Sequence, residues 1–345
     1  MGAGQALYGP ALPIYVHGFG ISPATAGLLI SAHWVGALAA VAGQMANIRF
    51  TARHALLLLA AGAALLAVQG LWAVMLAGAM LLGAGYGLCA TIYNRRYLTE
   101  FGARGPAMVG IVNAVFGIGA IASPLLLVAF GNVPRLVFAL IALLALAVLP
   151  AARPAPAGVA TDRAPLRIRP ELLLAALAIG CESSNIGLGP SGLVGRAVDE
   201  TTAATLASAF FAAYLISRVS LYWIAPRVSA VVLLRVAVAG VCAASLAATL
   251  GAAGPSYVAA GYFTGMIFPS LFVVASTALG NSQRATSTII AAGLVGGIVA
   301  PALLGGALAD LGTARFFPAM AIYAGVVLLA SFRLIRRPLQ RQVPE

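Results

Sequence analysis

Apolar residues form long continuous runs along the chain, and short polar segments separate these runs. The runs are about 17 to 26 residues long, the length that a helix needs to cross a hydrocarbon core about 30 Å thick. Because they are continuous rather than alternating, they predict membrane helices and not barrel strands. Twelve spans are predicted, at residues 3–17, 23–46, 54–70, 72–94, 105–130, 133–151, 171–194, 203–225, 229–250, 255–279, 285–310 and 314–334.

The first predicted span, 3–17, differs from the others. It is short and begins almost at Met1, with no basic leader before it. A cleaved signal peptide would carry a charged region ahead of its apolar stretch, so that interpretation is not favoured. We expect a first transmembrane helix that is short or truncated.

A polar stretch at 152–170 divides the predicted spans into two sets of six. It predicts a cytoplasmic linker between an N-terminal six-helix bundle at 1–151 and a C-terminal bundle at 171–345, which ends in a short cytoplasmic tail. Each half has an even number of spans, so both halves enter the membrane from the same side. This is a parallel repeat, whose halves meet at a central cavity near the middle of the membrane.

The two halves are related by an almost constant offset in sequence. Adding 177 to positions of the first half gives like residues in the second: Pro13 and Pro190, Thr25 and Thr202, Leu29 and Leu206, Ser31 and Ser208, Gly119 and Gly296, and Pro124 and Pro301. In the fourth span the offset becomes 178, where Gly83 and Gly87 correspond to Gly261 and Gly265. One offset maintained over such a length indicates an internal repeat.

Composition and charge agree with a membrane protein. Apolar residues make up 62% of the chain and charged residues 8%, whereas a soluble domain would carry roughly a quarter charged residues. The net charge of +12 does not indicate nucleic-acid binding, because nearly all arginines lie at span ends and in loops. Sixteen lie on one predicted side, three (Arg135, Arg196 and Arg315) on the other, and Arg218 within the eighth span.

This arginine bias predicts the orientation of the chain. Basic residues are enriched on the cytoplasmic side, so both termini are expected in the cytoplasm. We expect a multi-pass protein of the cell inner (plasma) membrane, monomeric, in contact with the lipid bilayer and without a nucleic-acid partner.

Cofactor and metal chemistry is not indicated. Cys89, Cys181 and Cys242 occur singly in apolar spans, which favours neither disulfides nor a zinc site. The chain contains no lysine to complete a phosphate-binding Gly-Lys-Ser/Thr loop, so ATP-driven pumping by this chain is excluded. No cofactor and no metal are expected.

Several segments resemble the major facilitator superfamily of transporters. In the first half they are Tyr8–Pro13 with Gly20–Gly27, Gly83–Gly87 leading to Asn94, and Phe116–Gly119 leading to Pro124. In the second half, segments similar to the fucose–proton symporter and its sugar-transporter relatives are Gly180–Ser183, Ala209–Phe211 leading to Arg218, Ile267–Ser270 and Gly296–Pro301. The resemblance implies an all-α membrane fold of two six-helix bundles and secondary transport by alternating access.

The sequence also departs from this family's pattern. The cytoplasmic loop between the second and third helices usually has a Gly-x-x-x-Asp-Arg pattern, whereas Gly43 is followed here by Asn47 and Arg49. The acidic residues that fucose-type symporters carry in helices 1 and 4 are absent near Gly9 and Ala90.

Glu182 is the carboxylate predicted to lie deep in the membrane, eleven residues into the seventh span. A charge at that depth costs roughly 3 kcal/mol on insertion scales, so its presence suggests a role. We expect it to bind a proton or a polar or cationic solute group, although a helix-packing carboxyl is the alternative. Gln5 is its repeat equivalent and is expected to face it across the cavity.

Other polar and aromatic residues are candidates for the same cavity. His33 would donate to a solute or change charge near neutral pH, or else pair with a neighbouring helix. Arg218 would bind an anion or act as an inner gate, with snorkelling to the interface as the alternative. The remaining candidates are Asn94, Asn113, Ser183, Ser184, Asn185, Tyr8, Trp34, Tyr86 and Tyr262, each of which also fits interhelical packing.

These observations favour a secondary transporter of a small organic solute, and proton symport is the leading interpretation. A proton-coupled exporter of amphiphilic or cationic compounds fits Glu182 equally well, and a membrane sensor without transport is a third interpretation. An enzyme would need clustered acids, bases or metal ligands. Glu182 and distant histidines do not supply them, so no enzymatic activity is expected.

Overall fold

The computed structural model describes residues 1–46, 48–101, 105–152, 169–280 and 283–335. These residues fold into twelve α-helices joined by short loops. The helices are α1 (Gly2–Phe19), α2 (Pro23–Met45), α3 (Ala52–Val68), α4 (Trp72–Glu100), α5 (Gly105–Ala129), α6 (Pro134–Val148), α7 (Pro170–Val194), α8 (Glu200–Ile224), α9 (Ala230–Thr249), α10 (Ala253–Leu279), α11 (Gln283–Leu311) and α12 (Phe316–Leu334). Most of the predicted linker (153–168), the tail (336–345) and Asn47 lie outside the described residues.

Each predicted span coincides with one helix, so the prediction of an all-α fold with twelve helices is confirmed. The largest difference is at α4, which continues six residues past the predicted end at Asn94. This extension is polar, and its Arg96 Nε donates to Glu100 Oε1 at 2.8 Å. Such pairs at a spacing of four residues stabilise a helix outside the apolar region.

Ten of the described helices are long and apolar enough to cross a membrane. The others are α3, with 17 residues, and α1, with 18. The glycines and prolines of α1, together with Gln5 and His17, dilute its apolar residues, which explains why its span was the least evident in the sequence.

The first residues of α2 and α8 are capped in the same way. Ser22 Oγ accepts a hydrogen bond from the Thr25 amide at 3.1 Å, and Asp199 Oδ1 accepts one from the Thr202 amide at 2.9 Å. These caps satisfy backbone donors at the helix start, and they occupy positions related by the offset of 177. Hydrogen bonding by Thr202 lowers the pKa of Asp199, so this cap is ionised at neutral pH.

Equivalent glycines pack equivalent helices within the two halves. A Cβ atom added at Gly83 on α4 would overlap the carbonyl oxygen of His33 on α2. One added at Gly261 on α10 would overlap the carbonyl oxygen of Phe210 on α8. His33 and Phe210 are themselves related by 177, so the internal repeat is present in the packing as well as in the sequence.

The two halves contact each other mainly through α2 with α11, α5 with α8, and α1 with α7. Near the loop ends, Asn132 Nδ2 donates to Thr201 Oγ1 at 2.7 Å and His17 Nδ1 lies 2.8 Å from Glu200 Oε1. Both pairs lie at the end of the bundle that holds the α1–α2 and α7–α8 loops, which we call the α1–α2 end. The halves are therefore in contact at this end.

Two helices, α4 and α10, pack within their own halves. In the described part of the chain, α4 packs mainly on α2, α3 and α5, and α10 packs mainly on α7, α8, α9 and α11. Neither helix forms an extensive contact with the other half. The contacts between the halves are therefore made mainly by α1, α2, α5, α7, α8 and α11.

Candidate solute-binding cleft

A small cleft lies where α1 and α2 of the first half meet α7 of the second. It is lined by Gln5, Tyr8, Ile30, His33, Trp34, Ser183, Ile186 and Gly187. His33 lies ten residues after the first residue of α2, and Ser183 eleven residues before the last residue of α7. At about 1.5 Å per residue, both are about 15 Å from the α1–α2 end, halfway across a typical hydrocarbon core.

Aromatic rings surround the buried imidazole of His33. The Tyr8 hydroxyl lies 3.3 Å from His33 Nδ1, and the ring centres of Trp34 and Tyr86 lie 5.2 and 5.4 Å from that of His33. The arrangement is largely edge-to-face, which suits aromatic quadrupoles. One side of the cleft is consequently aromatic and uncharged, with a polar imidazole at its centre.

A carboxylate, a phenol and a guanidinium form a connected set on α7 and α8, the Glu182–Tyr214–Arg218 trio. The Tyr214 hydroxyl donates to Glu182 Oε1 at 2.7 Å, and Arg218 Nη2 donates to the same hydroxyl oxygen. Arg218 Nη2 also lies 4.0 Å from Glu182 Oε1. Opposite charges compensate each other in a low-dielectric interior, so the trio with Glu182 ionised has a formal net charge of zero.

Four polar atoms in the cleft and the trio are buried without a hydrogen-bond partner in the residues that the structure describes. They are Gln5 Oε1, His33 Nε2, Glu182 Oε2 and Arg218 Nε. A buried polar group without a partner costs about 1–3 kcal/mol, and native structures contain few of them. Donors and acceptors of this kind beside one cleft are available to a polar ligand.

The structure brings eight of the predicted site residues together. Gln5, Tyr8, His33, Trp34 and Ser183 line the cleft, and Tyr86 packs against His33. Glu182 immediately precedes the lining residue Ser183 and is 8% exposed. Arg218, predicted as a gate or a snorkelling residue, is directed toward Glu182 and Tyr214 instead of extending alone to the membrane interface.

The other predicted site residues lie outside the cleft lining. Asn94 is eight residues beyond Tyr86 on α4, about 12 Å farther along the helix. Asn113 is half-buried on α5. Tyr262 on α10 contacts Ser220 at 3.0 Å between hydroxyl oxygens, and the backbone carbonyl of Asn185 faces the Tyr257 hydroxyl at 3.4 Å.

Tyr214 is the residue of this site that the sequence interpretation missed. Its apolar surroundings made it resemble an ordinary aromatic residue of a membrane helix. The signal was its spacing, because residues four apart lie on the same face of a helix and Tyr214 precedes Arg218 by four. A tyrosine at that position is placed to bridge the arginine to a neighbouring helix.

No family model and no curated protein matches the sequence. Solved structures do match the fold over nearly the whole chain. A nucleoside transporter is 14% identical, with 96% of this chain and 95% of that chain covered and a TM-score of 0.75. A D-xylose–proton symporter is 14% identical over the same shares, with a TM-score of 0.72.

The Escherichia coli fucose–proton symporter FucP is 18% identical, with 98% of this chain and 96% of that chain covered and a TM-score of 0.60. Another FucP structure is described as a major facilitator superfamily transporter. The chain therefore has the fold of major facilitator superfamily transporters, and the predicted resemblance is confirmed at the level of the fold.

Proposed function

We propose that this protein is a secondary transporter that carries a small, polar, uncharged organic solute in symport with protons by alternating access. The observation that carries the proposal is the hydrogen-bonded Glu182–Tyr214–Arg218 trio beside a mid-membrane cleft between the two halves. Alternating access requires such a site where the halves meet.

The charge of the trio favours an uncharged solute over a lipophilic cation. A cation exporter would need an acidic group with unbalanced negative charge in its cavity. Glu182 is balanced by Arg218 and accepts from Tyr214, so the cleft offers hydrogen-bond donors and acceptors rather than net charge. Two proteins of similar fold are named as symporters of fucose and of D-xylose. Both sugars are uncharged polar molecules.

Proton coupling is assigned to Glu182. Of the carboxylates that the structure describes, it alone is buried, and its Oε2 atom is free to receive a proton. Protonation removes the negative charge, so the attraction between Glu182 and Arg218 disappears. Arg218 and Tyr214 then have donors available for the hydroxyl or carbonyl oxygens of a solute.

Release of the solute reverses these changes. When the proton leaves Glu182, the ion pair with Arg218 forms again and the trio returns to zero net charge. The empty transporter then reorients without moving a net charge of the trio, whereas the loaded form carries one positive charge. Transport is therefore expected to be electrogenic, and an inside-negative potential should accelerate solute uptake.

We also propose that the protein is a monomer of the cell inner membrane. The arginine distribution supports an orientation with both termini in the cytoplasm. In that orientation the α1–α2 end faces outward. The linker at 152–170 then connects the N-terminal bundle (1–151) to the C-terminal bundle (171–345) on the cytoplasmic side.

Flux measurements in liposomes test the proposal. The purified protein is reconstituted, an inside-alkaline pH gradient is imposed, and proton entry is recorded while sugars, nucleosides, organic acids, amino acids and lipophilic cations are added one at a time. We expect an uncharged polar solute to trigger proton entry. Accumulation of a lipophilic cation under the opposite gradient would support the exporter, and saturable solute binding without flux would support a sensor.

Tyr214→Phe tests the bridge within the trio. Hydrogen bonds to charged groups contribute about 1.5–3 kcal/mol, so loss of the hydroxyl is expected to slow solute-driven proton entry about tenfold or more. Tyr323→Phe is the matched control, because its hydroxyl donates to the Leu177 carbonyl at 2.8 Å away from the cleft. Equal transport by the two variants would contradict a role for the bridge.

A further inference from the structure

Two serine hydroxyls donate hydrogen bonds from one half of the protein to the other. Ser31 Oγ on α2 donates to the Ile298 carbonyl on α11 at 2.9 Å. Ser208 Oγ on α8 donates to the Ile121 carbonyl on α5 at 2.8 Å. Both serines are buried, at 7% and 4% exposed.

The two bonds are copies of each other under the internal repeat. Ser31 and Ser208 are 177 residues apart, and so are the acceptors Ile121 and Ile298. The donor lies in the first half in one bond and in the second half in the other. The pair therefore follows the pseudo-twofold relation between the halves, which a chance contact would not do.

Each acceptor carbonyl lies one residue after a carbonyl that a proline leaves without its helical partner. Ile121 precedes Pro124 by three residues, and Ile298 precedes Pro301 by three. Because proline has no amide hydrogen, the carbonyls four residues before it, those of Ala120 and Gly297, receive no hydrogen bond from it. A carbonyl oxygen has two lone pairs, so those of Ile121 and Ile298 can each accept from a serine as well as from their own helix.

Both bonds lie at the depth of the cleft, in its half nearer the α1–α2 end. Ser31 and Ser208 are each eight residues after the first residue of their helix, about 12 Å from that end. His33 in the cleft is two residues deeper on α2. Any opening of the cleft toward the α1–α2 end must separate α2 from α11 and α5 from α8, and so must break both bonds.

We propose that Ser31 and Ser208 are a pair of reversible latches that hold the two halves together on the α1–α2 side of the cleft. The proposal deepens the proposed function, since it assumes that the halves rock about the cleft. Serine suits this role because a helical serine can turn its hydroxyl to its own carbonyl four residues back. The latches then open without leaving a buried donor unpaired.

Distance measurements between the halves test the latches. Leu71 and Leu250 are 74% and 88% exposed and lie at the α1–α2 end of the first and second half. With Cys89, Cys181 and Cys242 replaced by alanine, spin labels at Leu71→Cys and Leu250→Cys report the separation of the halves by electron–electron resonance. No solute is needed.

Ser31→Ala and Ser208→Ala are each expected to raise the ratio of open to closed protein about threefold, and the double variant about tenfold, because one net hydrogen bond is lost in each. Ser245→Ala on α9 is the matched control, a buried serine 2% exposed that contributes to neither bond. It is expected to leave the distance distribution unchanged.

Two outcomes would overturn the latches. One is an unchanged distance distribution in the folded double variant, and the other is a parent protein that is already open at the α1–α2 end. Because the readout is a distance and not a flux, failure of the latches is distinguishable from failure of the proposed transport. Latches confirmed in a protein that moves no solute would support the rocking fold and refute only the transport assignment.

Discussion

Glu182→Gln is expected to abolish solute-driven proton entry while solute exchange across the membrane continues. Glutamine has nearly the same size as the carboxyl group and can still accept from Tyr214, but it cannot take up a proton. Solute then moves in both directions without coupling. The measurement compares proton entry with exchange of radiolabelled solute in the same liposomes.

Glu171→Gln provides the control for this experiment. It makes the same chemical change on the same helix, at the first turn of α7, far from the cleft. We expect it to retain coupled transport. If Glu182→Gln retains full proton entry, coupling does not depend on Glu182 and the mechanism proposed for the trio is wrong.

Gly83→Ala is expected to lower the stability of the protein by about 1–3 kcal/mol, the usual cost of overpacking, and to reduce transport strongly. The new methyl group would overlap the backbone carbonyl of His33, so α4 must move away from α2. That movement displaces His33 and Tyr86, which pack together at the cleft. Thermal unfolding in detergent and uptake in liposomes measure the two effects.

Gly306→Ala is the matched control for the glycine experiment. Gly306 also lies in a membrane helix, α11, but a Cβ atom there would have no heavy atom within 4 Å. This variant should unfold and transport like the parent. If Gly83→Ala behaves in the same way, the close approach of α4 to α2 does not determine the geometry of the cleft.

The membrane itself explains why the fold could be predicted from the sequence. A helix that crosses a hydrocarbon core must satisfy its backbone internally and be apolar over its length, so the run at 285–310 predicts α11 almost residue by residue. The offset of 177 could also be recognised, because Pro124 and Pro301 occur at equivalent positions within two apolar runs. Helix ends were less certain, as at α4, because polar residues can continue a helix into water.

The site was only partly predictable, because its residues come together through helix rotation and tilt. Glu182 stands out in sequence by its cost in an apolar span. Tyr214 carries no such cost, and its role depends on which face of α8 meets α7. The hydrogen bonds of Ser31 and Ser208 could not be predicted for the same reason, since their acceptors are backbone carbonyls, which every residue possesses.

In the proposed mechanism, the location of the trio affects the activation barrier for rocking of the two halves. Glu182, Tyr214 and Arg218 all belong to the second half, and their repeat equivalents Gln5, Ala37 and Val41 are uncharged. The buried ion pair therefore travels as one unit with α7 and α8, and no buried ion pair of the trio has to be separated between the halves. Breaking one would cost about 3–5 kcal/mol, whereas sliding an uncharged aromatic surface past the trio costs far less. In the proposed mechanism, the two halves can therefore rock while the contacts between Glu182, Tyr214 and Arg218 stay within one half.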